Sequence, residues 1–228
     1  MENGHLKDIT EELKHVFSGA RNESRAIQSS AYLKDHFPFF GMTSGQRRDL
    51  QKPLLKSLTL LEDRSERWTL IRNLWEQPER EFQYFAIDWL NSWPKRWYDP
   101  KDGLELEWII SHKSWWDSVD AVASNYLGKW EMLFPDQARK TFEKWRYAES
   151  FWLQRSCLIY QLKHKDDVDS AFLESLIEQM KSNKEFFIQK AIGWSLRQLS
   201  KYNPERVGQI IERQNLSGLA RREASKYL

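Results

Sequence analysis

The chain is poor in the residues that make corners and cross-links. Its 228 residues include one cysteine, Cys157, which excludes an internal disulfide framework and any cysteine-based zinc or iron–sulfur site. Nine glycines and seven prolines make up about 7% of the chain, against roughly 12% in an average one. That scarcity argues against a turn-rich sandwich or barrel. There is no Gly-rich phosphate loop, no GxSxG elbow and no long apolar run. The five histidines (His5, His15, His36, His112 and His164) lack ligand spacing, so neither a metal nor a cofactor is expected. Met1 is followed by charged residues rather than an apolar leader, and the mean hydropathy is −0.74. The expectation is a soluble, cytoplasmic protein that spans no membrane. A surplus of one charge sign is also missing: 35 basic and 33 acidic side chains leave a net +2, which neither demands nor excludes a polyanionic partner.

What the chain has in excess is tryptophan, 12 residues among 32 aromatics. An indole supplies a large apolar area and a π-face that attracts cations. For any single Trp, packing between helices is the default reading. The chain also repeats. Gln83 in REFQYFAIDWL is matched by Ser118 in WWDSVDAV, Gln154 in FWLQRSCLIY, Gln189 in FFIQKAIGW and Arg222 in LARREASKYL, at steps of 35, 36, 35 and 33 residues. Each segment has apolar residues three or four apart and no internal proline, which predicts a helix. Second helical stretches lie between them: LELEWIISH, DQARKTFEKWRY and DSAFLESLIEQM. Pro78, Pro135 and Pro204 stand where helices should begin. The spacing predicts an all-α protein, an α-solenoid of about six HEAT-like helix pairs with a concave basic face. It reads as a single domain over 1–228. The N-terminal part, about 1–50, includes LKHVFS and AYLKDHFPFFGM and reads as atypical capping helices.

In a solenoid, residues at one register line up in space, so an odd one stands out. Two positions after the aligned residue come Phe85, Asp120, Ser156, Ala191 and Ala224, a small or apolar set apart from one carboxylate. One position after it come Tyr84, Val119, Arg155, Lys190 and Glu223, placing two cations on one ridge in adjacent repeats. Five positions after it come Asp88, Ala123, Ile159, Trp194 and Tyr227, where Trp194 is bulkier than packing requires. Trp116 and Asp120 are i and i+4 and share a helix face, as do Lys190 and Trp194. Cations on such a face would neutralise phosphates. Residues 184–228 hold nine Lys or Arg, Arg197 among them, against four acids, and Arg47 and Arg48 form a second basic pair. Each feature has a plain structural alternative. Asp120 can be a helix cap or half of an ion pair, the cations can be solvated surface, and Cys157 in CLIY reads as buried.

KSWWDSVDAV, FWLQRSCLIYQLKHK and KEFFIQKAIGWSLRQ closely resemble the AlkD family of bacterial alkylpurine DNA glycosylases, HEAT-like DNA alkylation repair enzymes. The resemblance runs from about AYLKDHF through LARREA. It implies a monomeric, monofunctional enzyme that hydrolyses the N-glycosidic bond of cationic 3- and 7-alkylpurines in double-stranded DNA. The family's catalytic aspartate and the tryptophan four residues before it match Asp120 and Trp116. Its second active-site tryptophan matches Trp194, and its DNA-contacting arginine matches Arg155. A tyrosine near the lesion falls on Tyr32, and Lys190 and Arg197 extend the DNA-binding set. One departure is visible: a family glutamine is replaced by Thr43 in FFGMTSGQRR. The alternative reading is a non-enzymatic HEAT-like scaffold that binds nucleic acid or a protein partner.

Overall fold

The computed structural model describes residues 2–228, with side chains from residue 9 onward. Its contacts divide the chain into two compact units, Met1–Trp97 and Tyr98–Leu228. The described residues form α-helices with short 3-10 and π segments, an all-α helical-repeat architecture. None of these helices is long and apolar enough to cross a membrane.

The first unit contains α1 (Glu2–Gly19), α2 (Glu23–Tyr32), α3 (Ser44–Ser57), α4 (Arg64–Glu76) and α5 (Arg80–Ser92). Its core is aromatic. Phe17, Phe40 and Phe82 meet with centroids 5.7–5.9 Å apart. Trp93 sits edge-on to Trp68, Trp89 and Trp97, and the buried Arg67 lies over Trp93 and Trp97 at 5.1 and 4.4 Å. Such contacts place a guanidinium where its charge meets the ring quadrupole.

The helical reading of AYLKDHFPFFGM holds only as far as Tyr32. Lys34 and Asp35 adopt left-handed backbone (φ 60° and 58°), and residues 33–43 form turns and a loop. Apolar spacing cannot register this loop, because tertiary contacts hold it. The buried carboxylate of Glu81 accepts the amides of Phe40 and Gly41 at 3.1 and 2.8 Å. Gly41 is at φ +89°, and a Cβ there would lie 2.2 Å from the Asn22 carbonyl oxygen. Thr43, the departure noted in the sequence, caps α3 and forms a reciprocal capping box with Gln46.

The second unit shows the repeat directly. It contains α6 (Asp102–Ser111), α7 (Trp116–Val122), a π segment (Ala123–Leu127), α8 (Gly128–Leu133), α9 (Pro135–Trp145), α10 (Phe151–Ile159), α11 (Ser170–Met180), α12 (Phe186–Leu199), α13 (Pro204–Arg213) and α14 (Gly218–Ala224). Helices α7, α10, α12 and α14 pack neighbour on neighbour in one row, while α9, α11 and α13 pack against that row as a second layer. Pro135 and Pro204 open α9 and α13 as the sequence predicts, whereas Pro78 lies in the turn before α5.

The recurring glutamine has a structural meaning. Gln83 donates to the Trp75 and Gln77 carbonyls, Gln154 to that of Ala148, and Gln189 to those of Lys181 and Asn183. Each glutamine, in the first turn of its helix, satisfies carbonyls at or just beyond the end of the preceding helix, in the connection that leads to its own.

Candidate active site

The register that singled out Asp120 is a core register. Phe85, Ser156, Ala191 and Ala224 are fully buried there. Asp120, on α7, is the exception, and 16% of its side chain remains exposed. Its carboxylate faces Arg155 on α10, and the pair is bidentate. Arg155 Nε donates to Oδ1 at 2.7 Å and Nη2 to Oδ2 at 2.8 Å. Nη1 of the same guanidinium donates to the Phe187 carbonyl of α12, and the Phe187 ring lies 5.7 Å from it. One side chain therefore ties together three successive helices of the row. A planar fork suits this task, whereas an ammonium could not grip the carboxylate by two parallel bonds.

This geometry places Arg155 in an ion pair rather than on a free surface. The sequence puts it on one ridge with Lys190, and the resemblance implies that it contacts DNA. The side chain is only 3% exposed, and its side-on edge is occupied by Asp120. Lys190, one register along on α12, is exposed, and its ammonium lies 5.5 Å over the Phe186 ring. Arg197 is also engaged: it pairs with Glu223 of α14 at 2.5 Å, and Lys226 donates to the other Glu223 oxygen at 2.7 Å. The Lys226 bond and then the charges of Lys226, Arg197 and Lys190, opposed by burial, hold the Glu223 carboxyl below the usual range. Gly193 makes this meeting possible, since a Cβ there would lie 2.4 Å from the Glu223 Cβ.

Burial pushes the Asp120 carboxyl above its ordinary value of 3.8. The Arg155 hydrogen bonds and charge pull it back, Asp117 raises it slightly, and Lys190 lowers it. The net direction is upward, so the group remains a base whose ionisation depends on Arg155.

Eight of the twelve tryptophans are buried, which accounts for most of the enrichment as core packing. The four half-buried ones are Trp108, Trp115, Trp116 and Trp194. Trp116 opens α7 one turn before Asp120. Trp194 follows Lys190 by one turn on α12 and is half-buried rather than exposed. Beside them, Trp115, Trp152 and Phe187 form a cluster with centroids 4.9–5.7 Å apart. The sequence reading missed Phe187 as the anchor of Arg155 and Glu223 as the partner of Arg197. The FF step in KEFFIQK was the only available signal for the first. The π segment that begins three residues after Asp120 had no sequence signature. Its Ser124 hydroxyl donates to the Asp120 carbonyl at 2.7 Å. Tyr32 belongs to the first unit, where it ends α2 with 70% of its surface exposed and lines a cavity. Cys157 is buried, and burial raises its thiol pKa far above the ordinary value.

No protein with a curated description matches the chain. A solved structure described as a predicted DNA alkylation repair enzyme from Enterococcus faecalis is 37% identical, covers 91% of this chain and 96% of its own, and superposes with a TM-score of 0.84. The family described as DNA alkylation repair enzyme matches residues 13–228. With its all-helical repeats and its Asp–Arg centre, the chain belongs to the DNA alkylation repair enzyme family.

Proposed function

We propose that the protein is a monofunctional DNA glycosylase of the AlkD type, hydrolysing the N-glycosidic bond of cationic 3- and 7-alkylpurines in duplex DNA. The observation that carries this reading is the half-buried carboxylate of Asp120, clamped by Arg155 on the helix row that also bears Trp116 and Trp194. Alkylation at ring position 3 or 7 gives the base a positive charge, so it leaves as a neutral molecule and needs no acid. The remaining barrier is positive charge developing on the deoxyribose as the bond to the base breaks. Asp120 stabilises that charge and orients the attacking water. Arg155 acts through Asp120 as a positioning residue that keeps the carboxylate ionised and fixed against burial. The two half-buried indoles hold the cationic nucleoside by cation–π contact, worth about 1–2 kcal/mol when desolvated.

Phosphate contact falls to Lys190, the exposed cation of the site. Lys190→Gln is expected to weaken binding to damaged and undamaged duplex alike and to flatten the slope of log affinity against log salt by about 0.9. An unchanged slope would remove Lys190 from the DNA interface. Trp194→Ala is expected to slow excision of 7-methylguanine. Its stability loss should stay below the roughly 3–5 kcal/mol of truncating a fully buried Trp, because the ring is half-buried. A core-sized loss with normal excision would make Trp194 packing alone.

The deciding experiment incubates the pure protein with duplex containing 7-methylguanine and measures the released base. The scaffold reading has one observation in its favour, since Arg155 also serves to staple three helices. Absence of base release with intact DNA binding would establish it.

A further inference from the structure

Glu223 reverses the sign of its register. The same position in the two preceding repeats holds Arg155 and Lys190, and Glu223 is the single carboxylate of α14, beside Arg221 and Arg222. Three cations gather on it. Arg197 Nη1 donates to one oxygen at 2.5 Å and Lys226 Nζ to the other at 2.7 Å. Lys190 is close enough for its charge to act on Glu223 and on Asp120 alike. The cluster therefore adjoins the Asp120–Arg155 pair along the helix row.

Holding α14 in place does not require these ion pairs. Ala220 and Ala224 are fully buried, and Gly193 of α12 lets the α14 backbone approach so closely that a Cβ there would lie 2.9 Å from the Ala220 carbonyl oxygen. Packing of small residues secures the contact, and an ion pair as open as that of Lys226, 46% exposed, adds little. What the carboxylate does change is the local charge. Arg197, Lys226 and Lys190 are donors of the kind that backbone phosphates engage, and Glu223 takes from two of them the hydrogen bonds that a phosphate oxygen would accept.

We infer that Glu223 is an internal competitor of the DNA backbone, occupying the Arg197 and Lys226 donors as a phosphate would and so lowering the affinity of the helix row for duplex. A backbone phosphate gains these two cations only against the carboxylate, and the cluster meets DNA with one positive charge fewer than its cations supply. The effect carries no base information, so it acts on damaged and undamaged duplex alike. Its use is to limit the sequence-independent binding that would hold the protein on intact DNA. This inference rests on the duplex-binding part of the proposed function and not on base release.

The test is binding of the intact protein to a lesion-free, fluorescently labelled duplex, followed by anisotropy over a series of salt concentrations. Wild type is compared with Glu223→Gln, with Glu223→Gln combined with Arg197→Gln, and with Glu205→Gln. Glu205 is exposed at the start of α13 in the second layer, so its substitution changes the charge of the chain equally but away from the row. Glu223→Gln is expected to bind more tightly and to steepen the slope of log affinity against log salt by about 0.9, one further phosphate neutralised. Its advantage over wild type should shrink about threefold between roughly 50 and 200 mM salt. Adding Arg197→Gln should return the slope to the wild-type value, and Glu205→Gln should leave it unchanged. An unchanged slope in Glu223→Gln, equal effects of Glu223→Gln and Glu205→Gln, or no duplex binding by any of the proteins overturns the proposal. So does loss of the fold in Glu223→Gln, read by circular dichroism, because the ion pairs would then be structural. Release of 7-methylguanine is scored separately on damaged duplex, so failure of base release and failure of this inference are told apart.

Discussion

Asp120→Asn is expected to slow release of 7-methylguanine by about 10²–10⁴-fold, the usual contribution of a positioned acid–base group. The amide is nearly the same size but cannot carry the negative charge that opposes the developing sugar cation. Single-turnover excision measures this directly. The substitution also leaves the Arg155 edge with one acceptor in place of two. A stability loss of about 1–3 kcal/mol is therefore expected alongside the kinetic effect, and the comparison should be made at a temperature where both proteins are folded. The wild-type rate adds an independent check. Because burial raises the Asp120 carboxyl, activity should fall with decreasing pH at values above those for an ordinary aspartate. The sign for stability is opposite: the folded state holds this proton more tightly than the unfolded chain, so Asp120 costs stability as pH rises through the interval between the two pKa values. Near-wild-type excision by Asp120→Asn would end the proposed mechanism.

The largest effect on stability should come from Arg155→Met. Removing one partner of a buried ion pair leaves the other charge uncompensated, a loss of about 3–5 kcal/mol. Here it would also release the Phe187 carbonyl and with it the tie to α12. Without Arg155, the Asp120 carboxyl should rise further, so excision should fall at neutral pH and recover partly at higher pH. The double variant Asp120→Asn, Arg155→Met should lose less stability than the two single losses combined, with a coupling of about 1–3 kcal/mol, yet remain inactive. Chemical denaturation of the four proteins closes the cycle. If Arg155→Met were as stable as wild type but showed a flatter salt dependence of DNA binding, Arg155 would be a phosphate clamp after all.

The repeat was legible because helical periodicity and a step near 35 residues are properties of the chain itself. The aligned residues fall in the first turns of α5, α7, α10 and α12 and in the second turn of α14, and the glutamines among them join each helix to the one before. Asp120 was legible for the same reason, since a lone carboxylate in a register of buried small or apolar side chains is visible without coordinates. The loop at 33–43 was not, because its apolar residues keep a helical spacing while Lys34, Asp35 and Gly41 take positive φ.

The sequence by itself determined that this protein is helical, that it repeats, and which residues share a register, since these follow from spacing along one chain. Only the tertiary structure decided what the charged residues do. Arg155 and Lys190 hold the same register position in adjacent repeats, yet one is buried against Asp120 and the other is exposed to solvent. Likewise, Arg197 is held by Glu223, while Arg47 is held by Asp88. A side chain's burial and its ionic partner are set by residues 26 to 41 positions away in sequence, brought close by helix packing. Local periodicity carries no information about that choice, because the energy of a charge depends on the desolvation and the counter-charge it meets after folding.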